Sequence, residues 1–449
     1  MQKCILTGDF MKFKIQSAAV AVAALLCLVL LGACGSEAAS LSPTSTPEPV
    51  LNVEYRLGET VLASTEVSYG SPAPGSPDLP EGLILIAWTD ASGEKVQPDI
   101  ITEDTVYYAL ARPVLNTGAA YLFPYENGLL RPESFITYSE TAVAVRALVP
   151  EEYLPEELLS AWDASPEEVL SKEELLNMLE TIFDPETADA IFPTLPDSEN
   201  TAATRSEFAY CITHLSEINA IADDAYFPDV SPNHWAYTEL LSAAGNSGTL
   251  TRQAVVDASE DRFVWFNGYL YCLGDNGYFI TDTEKDGLYF DKNGRYTSGN
   301  TELDGYVAAT ICEFTSAENE RIDNLKEIYN HVKNDFSYLK RNYYDSGETG
   351  WDINEAITIF STGKGNCYCY AGAFCYLARG LGYNARTWSG TIGTEDQPHA
   401  WTEITLDGEV YICDPEIEMN YWMLEIYTDN FMLPIEDASG WVYQAVGRE

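Results

Sequence analysis

The stretch GKGNCYCYAGAFCYLARGL, residues 363–381, decides how this chain is read. A Gly-Lys-Gly-Asn turn runs into an amphipathic helical pattern that opens on Cys367. A thiol at a helix start lies near unpaired backbone N–H groups and the positive end of the helix dipole, and both favour the thiolate. Taken alone, Cys367 reads more readily as a small apolar side chain in a core. Two later features separate the readings: His399-Ala400-Trp401 and Asp414-Pro415.

Residues 399–406 alternate, with Ala400, Thr402, Ile404 and Leu406 on one face of a strand and His399, Trp401 and Glu403 on the other. Asp407-Gly408 is a hairpin turn and residues 409–413 are the return strand. With those two residues as the turn, Leu406 faces Glu409 and Trp401 faces Asp414, which makes His399 and Asp414 diagonal neighbours on one face. A slip of one residue breaks the pairing. If Cys367 packs at the end of this sheet, the three form a Cys-His-Asp set suited to acyl transfer. The thiolate attacks an amide carbonyl, His399 takes and returns the proton, Asp414 fixes the tautomer, and a thioester forms. The Cys367 N–H is a natural oxyanion donor.

These residues resemble the transglutaminase-like superfamily. Its pattern is Gly-x-Cys-x-x-x-Ala, a helix ending before a glycine and a strand, then His-Ala-Trp, then Asp-Pro. Gly365, Cys367 and Ala371 match the first element, residues 382–390 the second, and His399-Ala400-Trp401 and Asp414-Pro415 the last two. The likeness spans residues 301–427. It implies an α+β papain-like/transglutaminase-like catalytic domain acting on a peptide or protein substrate, with Cys367 as nucleophile, His399 as base and Asp414 as orienting carboxylate. The Cys-to-Ala spacing selects Cys367 over Cys369; a Cys367–Cys369 redox pair is the alternative. A zinc site from Cys367, Cys369, Cys375, Cys413 and His399 lacks paired Cys-x-x-Cys knuckles, and no EF-hand-type loop occurs, so neither metal nor cofactor is expected. The rival to catalysis is a non-catalytic cell-surface adhesion or cell-wall-binding protein that keeps the fold as a structural module.

The rest of the chain reads as delivery and anchoring, and its length suggests roughly three domains. It carries 70 acidic against 24 basic residues, a net charge of -46. Such a surface repels nucleic acid, and no nucleic-acid partner is expected. Residues 1–33 read as a processing segment. Lys12 and Lys14 follow Met11, an alternative start to Met1, and residues 17–31 are apolar but short for a membrane span. The ending Leu31-Gly32-Ala33-Cys34 resembles a bacterial lipobox. That likeness implies cleavage before Cys34, a lipid on Cys34 as membrane anchor, and a location on the extracellular face of the cytoplasmic membrane or in the cell wall. A plain signal peptide and an uncleaved anchor are the alternatives, and both also export the chain. Beyond Cys34 seven cysteines remain, Cys211, Cys272, Cys312, Cys367, Cys369, Cys375 and Cys413. An odd number leaves at least one thiol free unless chains are cross-linked.

Residues 34–50, rich in Ser, Thr, Pro and Ala, read as a disordered tether. Residues 51–114 read as a small β module, with Val53, Tyr55 and Leu57 alternating and Val106, Tyr108 and Leu110 likewise. Their order resembles an internalin-type β repeat. Residues 115–252 carry three capping-box signatures, Thr137/Glu140, Ser171/Glu174 and Thr204/Glu207, each before a helical pattern. The flanks YLFPYENGLLRPESFITYSE and FPDVSPNHWAY resemble S-layer homology motifs, although the middle unit lacks the Asp-Val…Trp segment. The likeness implies a helical region of three units with cell-wall polymer as partner; His234 reads there as a packed, hydrogen-bonded side chain. In residues 253–300, Asn276-Gly277 and Asn293-Gly294 follow aromatic strands and signal two β-hairpins, similar to aromatic cell-wall-binding repeats. Residues 301–449 form the transglutaminase-like domain. In it Ile322, Leu325, Tyr329, Val332 and Phe336 mark a helix face, His331 lies off that face in solvent, and Trp351, Trp388, Trp401 and Trp422 read as core. The chain is thus multidomain.

Overall fold

The computed structural model describes residues 49–446 except 184, 197–198, 217–224 and 342. The signal-like segment, Cys34 and nearly all of the tether lie outside the described residues. No helix among those described is long and apolar enough to cross a membrane.

A five-stranded sheet comes first, in the order Thr60–Ser68, Val50–Leu57, Thr105–Pro113, Leu83–Thr89, Lys95–Val96. Val50–Leu57 and Thr105–Pro113 run parallel and the remaining neighbours antiparallel. Val53, Tyr55, Trp88, Ile101 and Tyr107 fill its core. The inward face of Thr105–Pro113 is therefore that of Tyr107, the opposite parity to Val106 and Tyr108. The parallel register sets Tyr107 beside Tyr55, with the rings stacked at 5.2 Å.

All three capping boxes close, starting helices Tyr138–Leu148, Lys172–Ile182 and Arg205–Leu215. The residues just ahead of these helices bind in a ring. Ile136 N–H donates to Ala203, Ala203 to Leu170 and Leu170 to Ile136, at 3.0, 2.8 and 2.9 Å. Each unit satisfies backbone groups of the next, so no unit is complete alone. Arg205, 2% exposed, locks the ring to the preceding turn. It donates to the Leu130 and Phe123 carbonyls and pairs with Glu140 at 2.7 Å. Asp229 accepts from the Leu130 and Arg131 N–H groups, and burial pushes its carboxyl up to about 6. His234 lies 2.8 Å from Glu133 and accepts from Ala236 N–H.

The aromatic segment contains two hairpins, but their turns are Asn267-Gly268 and Asp286-Gly287, one turn earlier in the chain than the sequence signals. Both residues of each turn have positive φ, as a type I′ turn requires. Asn276-Gly277 and Asn293-Gly294 make second turns closed by single bridges, Leu273 to Phe279 and Phe290 to Tyr296. These second turns have another task. Gly277 O accepts from Tyr226 and Asn293 accepts from Glu133 N–H, which ties the hairpins to the helical ring. On the other side Gly268 lies so close to helix Thr301–Phe314 that a Cβ would come within 2.1 Å of the Ala308 carbonyl.

The C-terminal unit surrounds helix Cys367–Gly380. Helices Thr301–Phe314, Arg321–Asp335 and Asp352–Thr362 pack on it, as does an antiparallel meander of Asn384–Ile392, Gln397–Leu406, Glu409–Cys413 and Leu433–Pro434. The pattern reads as amphipathic, yet every residue from 367 to 378 is buried, since helices cover one side and the sheet the other. Two of its three tyrosines donate hydrogen bonds, Tyr368 to Tyr344 O and Tyr376 to Asp352, whereas the buried Tyr370 hydroxyl has no partner among the described residues. His331 is packed, not solvated: it stacks on Phe314 at 3.9 Å and bonds Asp335. Trp351 and Trp401 are core, whereas Trp422 is 63% exposed.

Arg205→Ala strips three acceptors at once and leaves Glu140 partly buried without its cation, a loss of about 3 kcal/mol. Hydrogen exchange at Ile136, Leu170 and Ala203 should accelerate accordingly. Arg205→Lys should fail to restore protection, because one ammonium cannot reach three acceptors in a fork.

Candidate active site

Gly365 sets the approach to Cys367. Residues Lys364–Gly365 pair in parallel with Ser337–Tyr338, and a Cβ on Gly365 would stand 2.2 Å from that of Cys369. Only glycine lets the turn close so tightly over the first helical turn. Cys367 then begins the helix at its N-terminus, 3% exposed, beside Ala400, Tyr368, Ala371 and Trp351.

The sheet brings the second group. Leu406 pairs with Glu409 and Thr402 with Cys413 across Asp407-Gly408, both at positive φ, which sets Trp401 opposite Asp414. His399 and Asp414 are joined by a 2.7 Å hydrogen bond from Nε2 to Oδ2. Thr402 on the other face of the same strand donates to the Ala371 carbonyl at 2.9 Å, anchoring the strand to the Cys367 helix. The Cys367 side chain also acts on the imidazole, favouring its charged form. Because Nε2 is engaged by Asp414, Nδ1 is the nitrogen left for the thiol. Burial opposes charge on His399, but Asp414 and Cys367 outweigh it and raise the imidazole well above its usual value.

Asp414 has further partners. Its Oδ1 caps helix Pro415–Met423 by accepting from Ile417 N–H, and its Oδ2 also accepts from the Tyr443 hydroxyl at 2.8 Å. Asn430 donates to that hydroxyl in turn. These bonds hold the carboxylate in one orientation. Tyr443 and Asn430 lie far along the chain from Asp414, and no motif announced them.

Cys369, the alternative thiol, points elsewhere. It hydrogen-bonds Glu355 at 2.7 Å, and burial together with that carboxylate pushes its thiol well up. Glu355 is also held by Tyr344 and Arg341. All seven described cysteines are free thiols. Cys375 and Cys413 are core side chains, each with its thiol pushed up by burial, to about 11 and about 12.

A second carboxyl stands at the site. Glu416 Oε2 is 3.8 Å from His399 Nδ1, and its other oxygen accepts from Asn420. Burial, which its neighbour Asp414 reinforces and His399 opposes, pushes Glu416 up to about 7. Its place in the first turn after Asp414-Pro415 was open to reading in the sequence. Donor atoms of His399, Asp414 and Glu416 lie within 4.8 Å of one another, the one such grouping among the described residues. The short His399–Asp414 bond and the raised Glu416 carboxyl fit a site that holds protons.

A raised carboxyl means that the native state binds a proton the unfolded chain releases. This contribution is complete below about pH 4.5 and is lost as pH rises through about 7, at most about 3 kcal/mol. Glu416→Gln should therefore leave stability unchanged at pH 4 and raise it at pH 8, read from urea denaturation at the two pH values.

Residues 308–415 match the family model of the Transglutaminase-like superfamily, and Cys367, His399 and Asp414 all lie within the match. A solved structure described as a "putative cysteine protease" from Cytophaga hutchinsonii is similar at 22% identity, over 32% of this chain and 42% of that one, with a TM-score of 0.22. The chain thus spans less than half of that protein's length. No curated protein matches the sequence. The C-terminal part of this mixed α/β chain, residues 308–415, is a transglutaminase-like domain.

Proposed function

We propose that this chain is a cysteine-type enzyme that transfers or hydrolyses acyl groups of peptide or protein amides. The observation that carries the reading is the 2.7 Å hydrogen bond between buried His399 and Asp414, with Cys367 packed in one cluster with the adjoining Ala400. In this reading the Cys367 thiol passes its proton to His399 and attacks the amide carbon. The oxyanion is received by backbone N–H groups at the helix start, including that of Cys367. His399 then protonates the departing amine, leaving a thioester on Cys367. Water or an amine, deprotonated by His399, releases the acyl group and restores the thiol. Asp414, oriented by Tyr443 and Ile417 N–H, keeps the imidazole in the tautomer that presents Nδ1 to sulfur.

The upstream parts fit delivery. The lipobox-like Leu31-Gly32-Ala33-Cys34 supports a lipid on Cys34 and a location outside the cytoplasmic membrane. The closed ring of three helical units is the favourable observation for an S-layer-homology-like region that binds cell-wall polymer. A pulldown with purified walls tests it: retention of residues 115–300 with the rest of the chain is expected, and no retention reduces this region to a spacer. A purely structural role for the C-terminal domain requires none of the bonds that converge on His399.

Cys367→Ala should abolish labelling by a peptide vinyl sulfone, and Cys369→Ala should retain it, as followed by mass spectrometry. Asp414→Asn should slow labelling by about 10³-fold or more through loss of the correct tautomer. Labelling that survives Cys367→Ala and moves to Cys369 would overturn the assignment. Iodoacetamide alkylation of Cys367 at pH 7 that is unchanged by His399→Ala would favour the structural role.

A further inference from the structure

A groove of ≈ 750 Å³ runs along helix Pro415–Met423, one turn beyond Asp414 and Glu416. Tyr338, Met419, Trp422, Met423, Tyr427 and Thr428 are among its lining residues. Its outer rim is the densest run of exposed large apolar side chains in the described residues. Trp422, Met423, Leu424, Ile426 and Tyr427 all face solvent, Tyr427 at 81% exposure. A run of that kind is a poor surface unless something covers it.

Two observations bear on what does. First, the groove is built on elements that flank the reactive residues: helix Pro415–Met423 follows Asp414 directly and supplies Met419, Trp422 and Met423. Tyr338 forms its wall and pairs with Gly365, two residues ahead of Cys367. Second, the floor carries no free charge. Glu418 is bonded by Lys333 at 2.6 Å, by Tyr329 at 2.7 Å and by Asn430 N–H. A charged side chain would find nothing to pair with there, whereas an aromatic or branched apolar one would be covered by Trp422, Met423 and Tyr427.

We propose that this groove is a specificity subsite for a bulky apolar or aromatic side chain flanking the reactive amide of a peptide substrate; the proposal rests on the acyl-transfer reading of Cys367. The occupant is the substrate itself, because the strand and the helix that line the groove are those that adjoin Gly365, two residues ahead of Cys367, and Asp414.

The test uses two peptide vinyl sulfones that differ only in Phe or Gly beside the warhead, with iodoacetamide as a side-chain-free control. The full chain is expected to react at Cys367 at least tenfold faster with the Phe probe. Trp422→Ala combined with Tyr427→Ala should bring the two probe rates within about twofold of each other, while the iodoacetamide rate holds. Both residues are solvent-exposed, so the variant keeps its core. Equal rates for the two probes in the unaltered chain would overturn the subsite, as would a preference that survives the double substitution. A dimer seen by light scattering that the double substitution dissolves would overturn it too, by assigning the groove to a second copy. Reaction of neither peptide probe, with iodoacetamide equally fast in His399→Ala, would overturn the acyl-transfer reading and the subsite together.

Discussion

The 2.7 Å bond between His399 and Asp414 is the interaction on which the C-terminal domain turns. It exists because a two-residue turn, Asp407-Gly408, holds the flanking strands in a single register. The same register aims Thr402 at the Ala371 carbonyl and so docks the sheet on the helix that begins with Cys367. A slip of one residue would lose the bond, the docking and the burial of Trp401 at once. Few places in the chain join so many consequences to one local choice.

Burial gives that bond its strength and its cost. His399, Asp414 and Glu416 are all nearly inaccessible, so each charge must be answered by a neighbour. Asp414 is answered by the imidazole, a tyrosine hydroxyl and a helix N-terminus. Among the described residues Glu416 has Asn420 and the more distant imidazole as partners, and burial keeps its proton into the neutral range. The net charge of -46 leaves the surface to the acids and makes the balanced Lys333–Glu418 pair beneath the groove more telling.

The hairpin segment is a joint between the helical ring and the C-terminal domain. Its first turns, built from Asn267-Gly268 and Asp286-Gly287, follow strand twist; its second turns carry contacts to the ring. Trp265 reaches the other way and donates to the Gly380 carbonyl at the end of the Cys367 helix. That helix is therefore fixed at one end by its glycine turn and at the other by a neighbouring module.

Local rules carried much of this into the sequence. Capping boxes, the Asp-Gly turn and strand parity act over a few residues, so Thr137, Ser171 and Thr204 could be recognised as helix starts and His399 set near Asp414 by counting. The glycine at 365 was legible as part of a motif, though its reason, the close approach of Cys369, was not. Other features depend on what packs from a distance. The Cys367 helix reads as amphipathic because its own pattern cannot reveal two covering layers. His331 reads as solvated because Phe314 arrives from another helix. Tyr107 displaces Val106 from the core because a parallel partner sets the parity. Tyr443, Asn430 and Tyr338 reach the site from segments without a pattern of their own. The sequence by itself determined which side chains could do chemistry and in what local geometry, since those choices are short-range. The tertiary structure alone decided their burial, their proton affinity and the apolar groove beside them, because these depend on which distant surfaces exclude water.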